Sequence, residues 1–132
     1  MMKNLLILGS TGSIGNTTLK IVKKNKKKFN IKLLTTNKNI NKIYKQALEF
    51  KVNKIVIHDE KEYIKSLNKF KKKNIVVYNT VDEALMRNKS RAFLAVNGIS
   101  GIAGLEPTLK IIKYTNNLAI ANKESIICGW KF

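Results

Sequence analysis

The stretch that decides the fold runs from Leu5 to Gly15 and reads Leu-Leu-Ile-Leu-Gly-Ser-Thr-Gly-Ser-Ile-Gly. It begins with a short apolar run of strand length, and glycines follow at positions 9, 12 and 15. A strand, a glycine-rich turn and the start of a helix in this order are typical of a nucleotide-binding βαβ unit. In such a unit Gly9 permits the tight turn, Gly12 admits a phosphate, and Gly15 lets the helix pack closely on the strand.

The same turn offers hydrogen-bond donors to an anionic diphosphate. The free amides at the start of the helix, together with the hydroxyls of Ser10, Thr11 and Ser13, are expected to hold it. The glycine spacing is G-x-x-G-x-x-G rather than G-x-G-x-x-G. A strand-to-helix turn without a ligand is therefore the alternative interpretation.

Further apolar runs alternate with amphipathic segments along the rest of the chain. The runs are continuous, as expected of strands that are covered on both faces of a parallel sheet. They span residues 5–8, 31–35, 54–57, 75–78, 92–96 and 118–121. Helical spacing occurs between them at Ile14, Leu19, Ile21 and Val22, at Ile40, Ile43, Tyr44, Ala47 and Leu48, and at Leu105, Leu109, Ile111 and Ile112. The sequence predicts an α/β fold, a Rossmann-type doubly wound parallel sheet of about six strands with flanking helices, in one domain over residues 1–132.

The chain is strongly basic, with a formal net charge of +18 over 132 residues. A basic face can supply non-specific affinity for nucleic acid, so a nucleic-acid-binding module is one alternative function. However, Arg87 and Arg91 are the only arginines, and it is arginine whose forked geometry suits phosphates and base edges. Lysine runs are more often solvated surface, and nucleic acid is not the expected partner.

Acidic residues, the lone histidine and the lone cysteine offer no obvious catalytic or metal site. Asp59 and Thr80 are each followed by acids and are expected to cap helices. His58 is expected to be a satisfied or exposed side chain rather than a catalyst. Cys128 has no disulfide partner, and the first apolar run is too short for a signal or membrane segment, so a cytoplasmic location is expected.

The end of the second predicted strand bears on the choice of cofactor. NAD-specific sites usually carry an acid there, whereas this chain reads Thr-Thr-Asn-Lys-Asn at residues 35–39. Lys38 is suited to pair with a 2′-phosphate, and Asn37 and Asn39 to hydrogen-bond it, which predicts NADPH over NADH. The alternative is that Lys38 is one more surface lysine.

Two later loops also follow predicted strands. The glycine-rich segment at residues 97–104 would allow the close approach of a flat ring, or it is a simple connection. The segment Asn122-Lys123-Glu124-Ser125 places an amide, a cation, an acid and a hydroxyl together, or it caps a following helix.

These blocks together resemble the 1-deoxy-D-xylulose 5-phosphate reductoisomerases, NADPH enzymes that make 2-C-methyl-D-erythritol 4-phosphate in non-mevalonate isoprenoid synthesis. Four features occur in that family's order. They are Gly-Ser-Thr-Gly-Ser-Ile-Gly at residues 9–15, Asn-Lys-Asn at 37–39, Ala-Gly-Leu at 103–105 followed by Pro107 and Thr108, and Ala-Asn-Lys-Glu-Ser at 121–125 followed by Cys128 and Gly129.

The resemblance implies roles for particular residues. Thr11, Gly12, Ser13 and Ile14 would bind the NADPH diphosphate, Lys38 and Asn39 the 2′-phosphate end, Asn122 and Glu124 the nicotinamide ribose, and Lys123 the sugar-phosphate substrate. Asn37 stands where the family commonly has Gly, so its Cβ is expected to affect cofactor affinity.

The resemblance also implies parts that these residues do not supply. The family uses a divalent metal, Mg or Mn, whose carboxylate ligands follow this segment, as do its later domains, and its full-length members are possible homodimers. The chain alone is therefore expected to bind NADPH without turnover. Another NADP-dependent Rossmann oxidoreductase is a further alternative, although the sequence contains no Tyr-x-x-x-Lys pair.

Overall fold

The computed structural model describes residues 2–121, in which six strands alternate with five α-helices. The strands are β1 (Lys3–Leu8), β2 (Phe29–Thr36), β3 (Lys54–Ile57), β4 (Val76–Tyr78), β5 (Ala92–Asn97) and β6 (Thr115–Ile120). The helices are α1 (Ser13–Lys24), α2 (Ile40–Phe50), α3 (Glu60–Lys71), α4 (Val81–Leu85) and α5 (Leu105–Ile111), and short 3-10 turns flank α5. None of the helices in this part of the chain is long and apolar enough to span a lipid bilayer.

All neighbouring strands are parallel, and the order across the sheet is β4-β3-β2-β1-β5-β6. The chain therefore builds outward from β1 in one direction, then returns to its other side at β5. Open parallel sheets bind ligands at such a switch point, outside the carboxyl ends of the strands. The Rossmann-type, doubly wound prediction is confirmed.

Each of the six predicted apolar runs forms a strand, although β6 begins earlier than its run. Its first residue, Thr115, pairs with Ala92, whereas the apolar signal begins only at residue 118. The polar start is held to β5 by side chains, since Asn117 Nδ2 donates to the Phe93 carbonyl at 2.7 Å. Hydropathy alone does not detect strand residues paired in this way.

Two apolar clusters cover the two faces of the sheet. Successive residues of a strand point to opposite faces, so Leu5 and Ile7 join one cluster while Leu6 and Leu8 join the other. The first cluster is completed by the first three helices through Leu19, Ile43 and Phe70, and the second by the last two through Leu85 and Ile111. Burial of β1 on both faces fixes where the residues after it emerge.

The three helices predicted from apolar spacing, α1, α2 and α5, all form, but their buried faces are narrower than that spacing. In α1 the buried residues are Gly15, Leu19 and Val22. Several residues counted in the apolar pattern are exposed: Ile14, Ile21, Leu48, Leu109 and Ile112. Each of these helices packs on the sheet through one narrow apolar stripe, and its remaining surface faces solvent.

The two predicted helix caps are confirmed. Asp59 Oδ1 accepts a hydrogen bond from the Glu62 amide at 3.0 Å, and Thr80 Oγ1 accepts one from the Glu83 amide at 3.2 Å. These bonds satisfy amides that have no partner within the helix. The starts of α3 and α4 are thereby fixed at the carboxyl edge of the sheet.

The glycine turn after β1 has the predicted geometry. Gly9 has φ +70°, a conformation that L side chains rarely adopt. A Cβ on Gly15 would lie 2.4 Å from the Gly9 carbonyl oxygen, so α1 starts directly against the turn. A Cβ on Gly12 would meet its nearest neighbour at 3.6 Å, an ordinary contact. Gly15 serves packing, whereas Gly12 leaves room above the turn.

Replacing these two glycines by alanine separates their roles. We expect Gly15→Ala to lower the free energy of unfolding by about 1–3 kcal/mol or more, because the added methyl overlaps backbone atoms that cannot move away cheaply. Gly12→Ala is the matched control and should stay within about 1 kcal/mol of the parent. Urea denaturation followed by circular dichroism measures both, and equal destabilisation would contradict this account of the turn.

Candidate functional site

A cavity of about 570 Å³ opens at the carboxyl edge of the sheet, over the switch point. It is lined by residues at or after the ends of five strands, by the 3-10 turn before α5 and by one face of α5. They are Gly9, Thr11 and Gly12 after β1, residues 35–37 at the end of β2, His58 after β3, residues 79–81 after β4, residues 98–100 after β5, and Ala103, Glu106, Pro107 and Lys110. Three of the four predicted blocks, at residues 9–15, 37–39 and 103–108, thus contribute residues to one cavity.

The glycine turn is fastened to the end of β2. The Gly9 amide donates to Thr35 Oγ1 at 2.9 Å, and the Ser10 amide donates to the Thr35 carbonyl at 2.9 Å. The hydroxyls of Thr11 and Thr36 share a hydrogen bond at 2.8 Å. Two consecutive threonines on β2 therefore set the position of the turn.

Ser10 does not face the cavity, and its prediction as a phosphate ligand is wrong. Its side chain is fully buried, and Ser10 Oγ donates to Gln46 Oε1 at 2.8 Å. Gln46 Nε2 in turn donates to the Ser10 carbonyl at 3.0 Å. This reciprocal pair ties the turn to α2, because buried polar groups must find partners inside the protein.

The start of α1 is open to an anion. Gly12 occupies the N-cap position, no side chain caps the helix, and its first turn contains no acidic residue. The first amides of a helix have no partner within it, and the helix dipole favours negative charge at this end. Of the predicted diphosphate ligands, Thr11 and Gly12 line the cavity, and Ser13 and Ile14 are exposed at the first positions of α1.

The residues predicted to bind the 2′-phosphate follow the end of β2, and each has a different environment. Asn37 lines the cavity. Lys38 Nζ lies 3.8 Å from Asp59 Oδ2, and Asn39 caps α2 by accepting from the Lys42 amide at 3.1 Å. The acid that β2 lacks is thus supplied by Asp59, the N-cap of α3, which follows the neighbouring strand β3. Lys38 is largely exposed, and such surface pairs are weak, so the ammonium is able to exchange Asp59 for a ligand.

A second cation at this position was missed from the sequence. Lys42, in the first turn of α2, donates from Nζ to the Thr11 carbonyl at 2.8 Å. It therefore brings positive charge to the glycine turn itself. The sequence signal that could have identified Lys42 is its position four residues after Lys38, in the first turn of the predicted helix. The many other lysines of the chain conceal this signal.

The glycine-rich loop after β5 is held by a buried side chain. Asn97 is fully buried, its Nδ2 donates to the Gly104 carbonyl at 3.1 Å and to the Thr108 hydroxyl, and its Oδ1 accepts from the Ile99 amide at 3.1 Å. A Cβ on Gly98 would lie 3.1 Å from the Ile14 Cβ, so this loop packs against the start of α1. The loop is more than a connection, since it forms one wall of the cavity.

His58 is not the satisfied or exposed side chain that was expected. It is half-buried in the cavity wall, and its Nε2 atom is enclosed without a hydrogen-bond partner among residues 2–121. Burial lowers the pKa of His58, the nearby cation of Lys110 lowers it further, and Glu106 opposes them. The ring is therefore neutral near pH 7.

Three predicted ligands, Asn122, Lys123 and Glu124, lie outside the described residues, as do Ser125 and Cys128. Within residues 2–121, no three His, Cys, Asp or Glu side chains lie close enough together to hold a metal ion.

Comparison with known sequences identifies relatives for this arrangement. A family model described as 1-deoxy-D-xylulose 5-phosphate reductoisomerase matches residues 5–129. The reductoisomerase of Pelagibacter ubique is 44% identical over 131 residues, which are 98% of this chain and 34% of the relative. That of Desulfitobacterium hafniense is 38% identical over 130 residues, covering 97% of this chain and 34% of the relative. The chain thus spans about a third of the length of the curated relatives it matches.

Solved structures give the same relationship. The reductoisomerase from Zymomonas mobilis in complex with NADPH superposes with a TM-score of 0.84 at 29% identity, over 96% of this chain and 34% of that one. A reductoisomerase in complex with NADPH, fosmidomycin and magnesium superposes with a TM-score of 0.84 at 28% identity, over 96% of this chain and 31% of that one.

Replacement by alanine should affect stability at Ser10 and ligand binding at Ser13. We expect Ser10→Ala to lower the free energy of unfolding by about 1–3 kcal/mol, because Gln46 Oε1 loses its buried donor. Ser13→Ala should leave stability within about 0.5 kcal/mol and weaken binding of NADPH, the cofactor predicted from the sequence, by roughly tenfold. Urea titrations and fluorescence binding measurements distinguish them, and a binding defect confined to Ser10→Ala would contradict the assignment.

The neutral state of His58 predicts a pH dependence of stability. Its pKa in the folded protein lies below the unfolded value of about 6.5, so the unfolded chain takes up the proton first as the pH falls. We expect the unfolding free energy of the parent, relative to His58→Gln, to decline as the pH is lowered from 7.5 to below about 6.5. Urea unfolding at several pH values tests this, and parallel profiles for the two proteins would show that His58 does not titrate as proposed.

Proposed function

This chain belongs to the 1-deoxy-D-xylulose 5-phosphate reductoisomerase family, and on that basis we propose that it forms the NADPH-binding part of such an enzyme. The complete protein would convert 1-deoxy-D-xylulose 5-phosphate into 2-C-methyl-D-erythritol 4-phosphate for non-mevalonate isoprenoid synthesis. The observation that carries the proposal is the uncapped start of α1, which opens into a cavity over the switch point of the sheet.

The diphosphate of NADPH would bind at the first turn of α1. Thr11, Ser13 and Ile14 would supply backbone amides there, and Thr11 and Ser13 would add hydroxyls. The Gly12 amide donates to the Gly9 carbonyl at 3.2 Å, so Gly12 would contribute room for the phosphate rather than a free donor. Lys42 adds a cation through its contact with the Thr11 carbonyl. The absence of a side-chain cap or acid in this turn supports an anion as the partner of these amides.

The 2′-phosphate would bind beyond the end of β2. Lys38 would leave Asp59 and pair with the phosphate, and Asn37 and Asn39 border the same position. Phosphate offers more charge than a single carboxylate, which favours the exchange. NADPH is therefore preferred over NADH, even though Asp59 remains nearby.

The nicotinamide half would extend past the loop at residues 98–100 on the other side of the glycine turn. Asn122 and Glu124 are proposed to border its ribose and Lys123 to contact the sugar phosphate, by their match to the family motif. Bound NADPH supplies a hydride, and the residues of this chain bind and orient it. The divalent metal of the reaction, Mg or Mn, is assigned to residues beyond this segment.

We also propose that residues 1–132 form one NADPH-binding domain, and that the complete protein acts in the cytoplasm, in keeping with its single cysteine in this segment. A homodimer is proposed for the complete protein only. Turnover is not expected of this chain alone.

Parallel titrations of the 132-residue chain with NADPH and NADH at physiological salt test the cofactor assignment, with Trp130 as the fluorescence donor. We expect NADPH to bind at least about tenfold more tightly, and Lys38→Gln to remove most of that preference. Asp59→Asn retains an N-cap acceptor while removing the competing charge, so the preference should increase.

The control variant is Lys73→Gln, which makes the same charge change in the exposed turn before β4, at the opposite edge of the sheet. It separates a local phosphate contact from the general attraction of a chain with net charge +18. Equal losses in the Lys38 and Lys73 variants would contradict the assigned 2′-phosphate site, and failure of both dinucleotides to bind would contradict the proposed function.

A further inference from the structure

The cavity continues past the glycine turn, beyond the end of β2. Its outer part is formed by His58 after β3 and by Asn79 and Thr80 after β4. In a dinucleotide fold the adenosine ribose lies at the end of the second strand. Because β3 pairs with β2 and β4 pairs with β3, the base attached to that ribose would lie over this outer part.

Asn79 is held in one orientation across the end of β3. Its Nδ2 donates to the Ile57 carbonyl at 2.9 Å and to the His58 carbonyl at 3.1 Å. Both N–H groups of the side-chain amide are thereby engaged, which settles which end of the amide is the nitrogen. Oδ1 accepts no hydrogen bond from any residue between 2 and 121, and it is a fixed acceptor beside the cavity.

His58 presents a flat, neutral ring next to this acceptor. Its amide donates to the Thr36 carbonyl at 3.1 Å, which anchors its backbone to β2, and its own carbonyl receives Asn79. The charged groups that act on the ring are Lys110 and Glu106, both on α5. A neutral aromatic ring suits a nucleobase face better than it suits a phosphate.

We propose that His58 and Asn79 form the adenine subsite of the cavity, in which the imidazole packs against the base and Asn79 Oδ1 accepts a hydrogen bond from its exocyclic amine. This assignment rests on the proposed binding of NADPH and adds which residues recognise the base. It makes Asn79 a specificity residue, because only a base with a donor at that position satisfies the amide oxygen. A base with a carbonyl there would place two acceptors face to face.

The probes are NADPH and its hypoxanthine analogue, in which a carbonyl replaces the exocyclic amine. We expect the 132-residue chain to bind NADPH roughly tenfold more tightly than the analogue, and Asn79→Ala to bring the two affinities together. Asn53→Ala makes the same side-chain change at the amino end of β3 and should keep the parent ratio. A purely structural role of Asn79 would lower both affinities equally, and an unchanged ratio in Asn79→Ala would overturn the proposal.

His58 is tested separately by its aromatic character. We expect His58→Ala to weaken NADPH and the analogue to a similar extent, by roughly tenfold, and His58→Phe to restore most of the binding. Unaltered binding in His58→Ala would overturn the stacking contact.

The wild-type titrations distinguish failure of the adenine subsite from failure of the proposed NADPH binding. NADPH binding without discrimination against the analogue would overturn the adenine subsite and leave the proposed function standing. Failure to bind either dinucleotide would overturn both. If Asn79→Ala does not fold, the wild-type ratio and the two His58 variants still decide the question.

Discussion

The contact between the first turn of α1 and the backbone of Gly9 and Ser10 is the constraint on which the site depends. A side chain at Gly15 would overlap that backbone, so the helix can start here only on a glycine. The contact places the N-cap of α1 at the carboxyl edge of the sheet, where Thr11 and Gly12 line the cavity.

Polar side chains from β2 and α2 hold the turn against that helix. Thr35, Thr36 and Gln46 each bond to a residue of the turn, and Lys42 bonds to the Thr11 carbonyl from the same side. The positions proposed for the diphosphate and the 2′-phosphate therefore lie on one hydrogen-bonded unit. Networks of this kind rigidify a site because each buried group has few alternative partners.

The sequence predicts those features whose cause lies close by in the chain. The roles of Gly9 and Gly15, the caps at Asp59 and Thr80 and the six strands all follow from local spacing, and the structure bears them out. The burial of Ser10 depends on Gln46, which is 36 residues away, and the pairing of Lys38 depends on Asp59, the N-cap of α3. Such long-range partners, and the enclosure of His58, become visible only when the sheet has assembled.

The most direct test of the central claim is a titration of the isotope-labelled chain with NADPH, followed by amide chemical shifts in two-dimensional NMR. The account predicts the largest changes at Thr11, Gly12 and Ser13 and at residues 37–39, all at the carboxyl edge of the sheet. A basic cavity at the opposite edge, lined by Lys32, Lys54 and Arg87 among others, provides an internal comparison. Changes concentrated there would show general attraction to phosphate and would contradict a dinucleotide site at the glycine turn.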